Sequence, residues 1–212
     1  MVTKPTGTAL SADASARAKR IKVIVFDVDG VLTDGQIFLL PDPKSRTDED
    51  PVGTGIEFKG FAAHDGLGMI LARLGGLQLG IITKRKSQTV ALRARDLRIE
   101  HVYQGQNHKL DAANRIAADA NIGLDQMAYV GDDIVDLTVM RVCGLAIATA
   151  NARPEVKAAA HFITEHAGGA GAGRDAIDYI LEEQGSLKRA IEQFLGESDP
   201  AAASADIGSG DM

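Results

Sequence analysis

The chain of 212 residues carries 23 Lys and Arg against 29 Asp and Glu, a formal net charge of -6 at pH 7, and 45% of its residues are hydrophobic. That length suits one domain whose core buries roughly 70% of the surface the unfolded chain exposes, while a lone cysteine, Cys143, excludes an internal disulfide or a cysteine metal cluster and suits a reducing cytoplasm. No basic run interleaves with aromatics and no stretch reaches the ~20 apolar residues of a membrane span, so neither nucleic acid nor membrane is an expected partner.

Residues 1–20, rich in Ala, Ser and Thr, lack the continuous apolar centre of a signal peptide and read as a disordered arm. The first strand is the apolar run Ile21 to Phe26. The interval 35–61 then breaks the rhythm, with short strand candidates at Gln36 to Leu40 and Ile56 to Phe58 around the polar stretch PDPKSRTDEDPVGTG, as in a β-hairpin with a long tip. Leaving the sheet just after its first strand, this hairpin either covers a site, pairs with a neighbouring subunit, or decorates the surface.

Beyond it, a helix at Gly66 to Leu74 precedes a strand at Leu77 to Thr83, a helix at Ser87 to Leu97, and a weaker strand at His101 to Tyr103. Next come a helix from Lys109 to Ala120, a strand at Met127 to Val130, a helix over Asp133 to Arg141, and a strand at Gly144 to Ala148. A helix at Pro154 to Ala160, a weak strand at His161 to Ile163, and helices at Asp175 to Glu183 and Leu187 to Phe194 close the unit. Strands alternating with helices predict an α/β domain over 21–195, a doubly wound and mostly parallel sheet with helices on both faces. The small, polar, aperiodic residues 196–212 read as a disordered tail.

The first strand runs straight into DVDGVLTDG, which sets Asp27 and Asp29 two positions apart with Gly30 permitting a sharp turn. Two carboxylates this close repel unless a cation or proton lies between them, and Mg²⁺ fits an all-oxygen donor set. Taken alone, the pair reads equally well as an acidic turn capping the next helix. Later strand ends change the balance: Thr83 ends one strand, Lys109 opens a helix, and Met127 to Val130 leads into GDDIVD with Asp132, Asp133 and Asp136. In a parallel sheet these ends share one edge, which brings carboxylates, a hydroxyl and an ammonium to one point.

This ordered set resembles the haloacid dehalogenase superfamily of phosphatases, through DVDGV at 27–31, Thr83, Lys109 and GDDIVD at 131–136. The resemblance implies a Rossmann-like fold in which Asp27 attacks phosphorus and Asp29 serves as general acid and base. It further implies that Thr83 and Lys109 hold the phosphoryl oxygens. Mg²⁺ would lie among Asp27, the Asp29 backbone carbonyl and Asp132, with Asp133 and Asp136 in support. Receiver domains of signalling proteins also carry an aspartyl-phosphate in such a fold, but without an acid two residues beyond it.

A narrower resemblance, to the 3-deoxy-D-manno-octulosonate 8-phosphate phosphatases, rests on DGVLTDG, the hairpin ending in Glu57 and Phe58, HDGLGMILA, YQGQNHK, ATANA at 148–152 and AGGAGAGRD. It implies no separate cap domain, a homotetramer in which hairpins from neighbours cover each site, and a small phosphorylated sugar acid of lipopolysaccharide biosynthesis as substrate. A nine-carbon ulosonate 9-phosphate or a broad range of phosphate monoesters are the alternatives. Expected substrate contacts are Thr33, His64, Lys84, Arg85 and Arg174. Two departures from that group lie among them: Lys84 replaces the glycine of a Thr-Gly-Arg run, and His64 stands where arginine is expected.

Overall fold

A computed structural model of the chain describes residues 7–9, 13–47, 49–50 and 52–197. In chain order the elements are β1 (Gly7–Ala9), α1 (Ala14–Ala18), β2 (Val23–Phe26), β3 (Phe38–Pro41), β4 (Gly55–Phe58), α2 (Ala63–Leu74), β5 (Gln78–Ile82) and α3 (Gln88–Asp96). They continue with β6 (His101–Tyr103), α4 (Lys109–Asp119), β7 (Met127–Gly131), α5 (Leu137–Met140), β8 (Leu145–Ala148), α6 (Pro154–Ala159), β9 (Phe162–Thr164), α7 (Ala172–Glu183) and α8 (Leu187–Glu197).

The main sheet has seven strands in the order β1-β9-β8-β7-β2-β5-β6, all parallel except β1, which runs antiparallel to β9. Every residue of β2 is buried, because helices cover both faces. Its side chains alternate between two cores. Ile24 and Phe26 join one with α1, α2, α3, α7 and α8, while Val23 and Val25 join the other with α4, α5 and α6. From β2 the chain winds outward to β5 and β6, then returns to β7 on its other side, so the strand order reverses between β2 and β7. Open α/β sheets bind ligands in the crevice at such a switch point.

β3 and β4 form a separate two-stranded ribbon with Phe38 opposite Phe58 and Pro41 opposite Gly55, the hairpin expected over 35–61. It is the insertion between β2 and α2, and among the described residues no cap domain interrupts the alternation. Phe38 and Phe58 stack at 5.3 Å, yet Leu39 is 64% exposed and Ile56 63%. The ribbon therefore leaves apolar surface in water.

The arm expected to be disordered over 1–20 is ordered at two of its parts. Gly7–Ala9 pairs with Phe162–Thr164, and Ala14 and Ala18 of α1 are fully buried in the core. Arg17 adds a hydrogen bond to the Gly144 carbonyl at 2.9 Å. A sheet edge with unpaired amides invites such a cover. The tail expected over 196–212 falls outside the described residues from 198 onward, and α8 extends into its first two positions. Asp133–Arg141, read as one helix, is a single 3-10 turn at Ile134–Asp136 followed by α5.

Candidate active site

β2 delivers Asp27 to the carboxyl edge, where its backbone N–H still donates to Val130 of β7 at 3.0 Å. The chain then turns tightly. The Val28 carbonyl accepts from the N–H groups of Val31, Leu32 and Thr33, and from the Thr33 hydroxyl at 3.2 Å. Gly30 adopts φ 89°, which side chains rarely tolerate, and a Cβ there would strike the Asp132 carboxylate. Behind this turn lies the glycine-rich loop, where a Cβ on Gly168 would meet the Gly30 carbonyl. Asn151 joins the two, donating from Nδ2 to the Gly30 carbonyl at 3.1 Å and accepting from the Gly168 N–H at 2.7 Å.

The charged centre has a definite order. Lys109, 3% exposed, sits between Asp27 at 2.8 Å and Asp136 at 2.7 Å. Asp136 Oδ1 also accepts from the Tyr129 hydroxyl at 2.8 Å, and its Oδ2 accepts from the N–H groups of Asp132 and Asp133 at 3.0 and 3.2 Å. Both its oxygens are thus filled by four donors. Asp132 is the opposite case: its Oδ1 is buried with no hydrogen-bond partner.

Burial pushes the Asp27 carboxyl up to about 6, with Lys109 pulling the other way. Burial, then the nearby carboxylates of Asp136, Asp27 and Asp133, push Asp132 up to about 7. Lys109 is raised although burial opposes its charge, because Asp27 and Asp136 outweigh that cost. One ligand atom from each of Asp27, Asp132 and Asp136 lies within 4.8 Å of the others. Since Asp136 is already saturated, the carboxylates open to a cation are Asp27 and Asp132. An orphaned buried oxygen among mutually repelling carboxylates fits a hard, oxygen-seeking cation such as Mg²⁺.

Other expected site residues divide. Thr83 is buried at the end of β5, where its N–H donates to Tyr103 and its carbonyl accepts from Gln106. Lys84 and Arg85 are exposed just beyond it, and His64 is exposed on the first turn of α2. Arg85 reaches Glu57 of the hairpin at 2.6 Å. The Asp29 side chain pairs with Lys59. Asp133 caps the turn that carries Asp136.

Two further expected substrate contacts have partners within the chain. Thr33 is fully buried and its hydroxyl closes the turn, accepting from Gly35 as well. Arg174 is engaged with both oxygens of Asp178 at 2.7 Å along α7, while its backbone N–H donates to Asp65. Sequence reasoning missed Lys59, Tyr129 and Asn151. Asn151 had a signal in the ATANA run and Tyr129 in the run YVGDDIVDLTVM. Cys143 lies apart in the second core, with burial pushing its thiol up to about 12, an inert packing residue.

Residues 82–172 match the family of haloacid dehalogenase-like hydrolases. A 3-deoxy-D-manno-octulosonate 8-phosphate phosphatase of Escherichia coli is 39% identical over 186 residues, 88% of this chain and 93% of that protein. The chain belongs to the haloacid dehalogenase-like hydrolases. Among solved members, the octulosonate 8-phosphate phosphatase of Moraxella catarrhalis, in complex with magnesium ion, phosphate ion and KDO, aligns with TM-score 0.76 and 36% identity over 87% of this chain and 99% of that one. The cobalt-bound enzyme of Haemophilus influenzae aligns with TM-score 0.71 and 31% identity over 83% of this chain and 99% of that one. Membership of the haloacid dehalogenase-like hydrolases sets aside the receiver-like reading. The matched stretch holds Thr83, Lys109 and Asp132, while Asp27 and Asp29 precede it.

Proposed function

We propose that this haloacid dehalogenase-like hydrolase removes the phosphate of 3-deoxy-D-manno-octulosonate 8-phosphate with Mg²⁺ as cofactor. What carries the reading is Asp27 held 2.8 Å from Lys109 beside the unpartnered, buried Oδ1 of Asp132, a donor set fitted to a cation and a phosphoryl group together. The substrate assignment draws on the names of the Escherichia coli and Moraxella catarrhalis relatives.

Asp27 attacks phosphorus, and the bond from phosphorus to the sugar oxygen breaks as Asp29 gives that oxygen its proton. A water then attacks the aspartyl-phosphate and gives a proton to Asp29 while the Asp27 carboxylate leaves. Lys109 neutralises the transferring group, held in place by Asp136 and Tyr129, and the Thr83 hydroxyl donates to a phosphoryl oxygen. Mg²⁺, when bound, adds charge neutralisation at the phosphoryl oxygens. Lys84, Arg85 and His64 are the contacts assigned to the sugar carboxylate in this reading.

The exposed apolar ribbon supports assembly as a homotetramer through the hairpins, with a folded unit that takes in β1 and α1 along with 21–195. No helix among the described residues is long and apolar enough to cross a membrane. A cytoplasmic location is part of the proposal and fits the reduced, buried Cys143.

Mg²⁺-dependent phosphate release from a panel tests the substrate: the octulosonate 8-phosphate, nine-carbon ulosonate 9-phosphates and ordinary sugar phosphates. The expected preference for the octulosonate ester is at least about a hundredfold in kcat/KM, or about 2.7 kcal/mol in the transition state. Comparable rates across the panel would replace this reading with a broad phosphatase, and a nine-carbon preference would move it to the longer sugar.

A further inference from the structure

The hairpin reaches the catalytic carboxylates through one side chain. Lys59 follows β4 directly, its side chain is 1% exposed, and its ammonium pairs with Asp29. On the other side the same ammonium lies 3.6 Å from Glu57 Oε1, and Glu57 Oε2 accepts from Arg85 at 2.6 Å. Four charges of alternating sign therefore run from Asp29 through Lys59 and Glu57 to Arg85, which is exposed. The Thr89 hydroxyl of α3 donates to the Glu57 carbonyl at 2.9 Å, so this end of the ribbon is tied to the domain.

The row is poised between two arrangements. A buried ammonium is costly unless paired, and Lys59 has two carboxylates in reach but is in hydrogen-bond contact with Asp29 alone. Glu57 Oε1 is buried with no hydrogen-bond partner, so a short swing of the Lys59 ammonium would satisfy it and release Asp29. An anionic group that draws Arg85 away from Glu57 strengthens the pull of Glu57 on Lys59. In the arrangement seen, Asp29 cannot meet a leaving-group oxygen and Lys59 with the same oxygen.

We propose that Lys59 is a latch on the catalytic acid, released through Glu57 when a carboxylate of the substrate engages Arg85. Lys59 is thereby a positioning residue that sets specificity, and Glu57 is its second seat. The inference rests on the proposed phosphatase reading and deepens it. A plain phosphate ester leaves Asp29 held by Lys59, whereas the sugar acid frees it to protonate the departing alcohol. Selection then acts on the chemical step as well as on binding.

The test compares three esters in the full-length, Mg²⁺-supplied enzyme: the octulosonate 8-phosphate, glycerol phosphate, and p-nitrophenyl phosphate, whose leaving group needs no proton. In Lys59→Met, kcat/KM for glycerol phosphate rises and the ratio of octulosonate ester to glycerol phosphate falls at least tenfold, while p-nitrophenyl phosphate moves less than threefold. In Glu57→Gln, Lys59 has no second seat, so kcat for the octulosonate ester falls at least tenfold and glycerol phosphate is little changed. Lys59→Arg keeps most of the wild-type ratio. Melting curves establish that each variant is folded. An equal loss on all three esters in Lys59→Met, or an unchanged ratio in Glu57→Gln, overturns the latch. Wild-type rates judge the substrate separately, since an enzyme with no preference for the octulosonate ester overturns the substrate assignment before any variant is compared.

Discussion

At the carboxyl edge of β2 and β7, Asp136 accepts from four donors, Lys109 is bracketed by two carboxylates, and the turn over Gly30 admits no added atom. The β3–β4 ribbon is built the other way, with Leu39, Leu40, Ile56 and Phe58 in solvent and its ties to the domain made through Glu57 and Lys59. One region fixes atoms that every phosphate ester presents alike. The other is free to vary with the alcohol being released. A fold can therefore keep one chemistry while changing substrates, because the parts that do each job share few contacts.

Removing the nucleophile strikes the inner region alone. Asp27→Asn should lower kcat by about four orders of magnitude or more, the scale seen when a catalytic nucleophile is lost. Its melting temperature should stay within a few degrees of wild type, because Lys109 keeps Asp136; near-normal phosphate release would end the case for Asp27. Charging the outer region does the reverse. Leu39→Glu with Ile56→Glu should dissociate the proposed tetramer, read by light scattering, with monomer stability changed by no more than about 0.5 kcal/mol per site. An undisturbed tetramer would locate the interface elsewhere.

A smaller effect distinguishes the regions by pH. Asp27 and Asp132 are pushed up to about 6 and about 7 from 3.8. Between those values the folded chain holds protons that the unfolded chain has released, so the stability of the metal-free protein falls as pH rises from about 4 to about 7. Mg²⁺ relieves that repulsion only where the carboxylates are ionised. The rise in melting temperature on adding Mg²⁺ should be larger at about pH 8 than at about pH 5. Equal rises would remove the cation from these residues, and the outer ribbon should show no such dependence.

What was legible in the sequence follows the same division. Asp27, Thr83 and Asp132 each end an apolar run, so locating the buried strands located them too. Lys109 was legible as the first residue of a helix after a strand. Lys59 carries no local signal, because its meaning lies in a pairing with Asp29 across thirty residues of chain. The part Thr33 plays in closing its turn was not legible, because its bonds to Val28 and Gly35 follow from the backbone path and not from residue type. β1 and α1 were missed because three exposed residues and a five-residue, alanine-faced helix have no apolar period, and both are held by tertiary pairing.

The saturated carboxylate of Asp136 acts as a gauge block. With no lone pair to spare, it spaces the Lys109 ammonium on one side from the backbone that carries Asp132 on the other. As charge shifts during turnover, that spacing cannot widen without stranding a buried donor. Dimensional accuracy at phosphorus is thus inherited from a residue that need never touch the substrate, and altering it would displace Lys109 and Asp132 together.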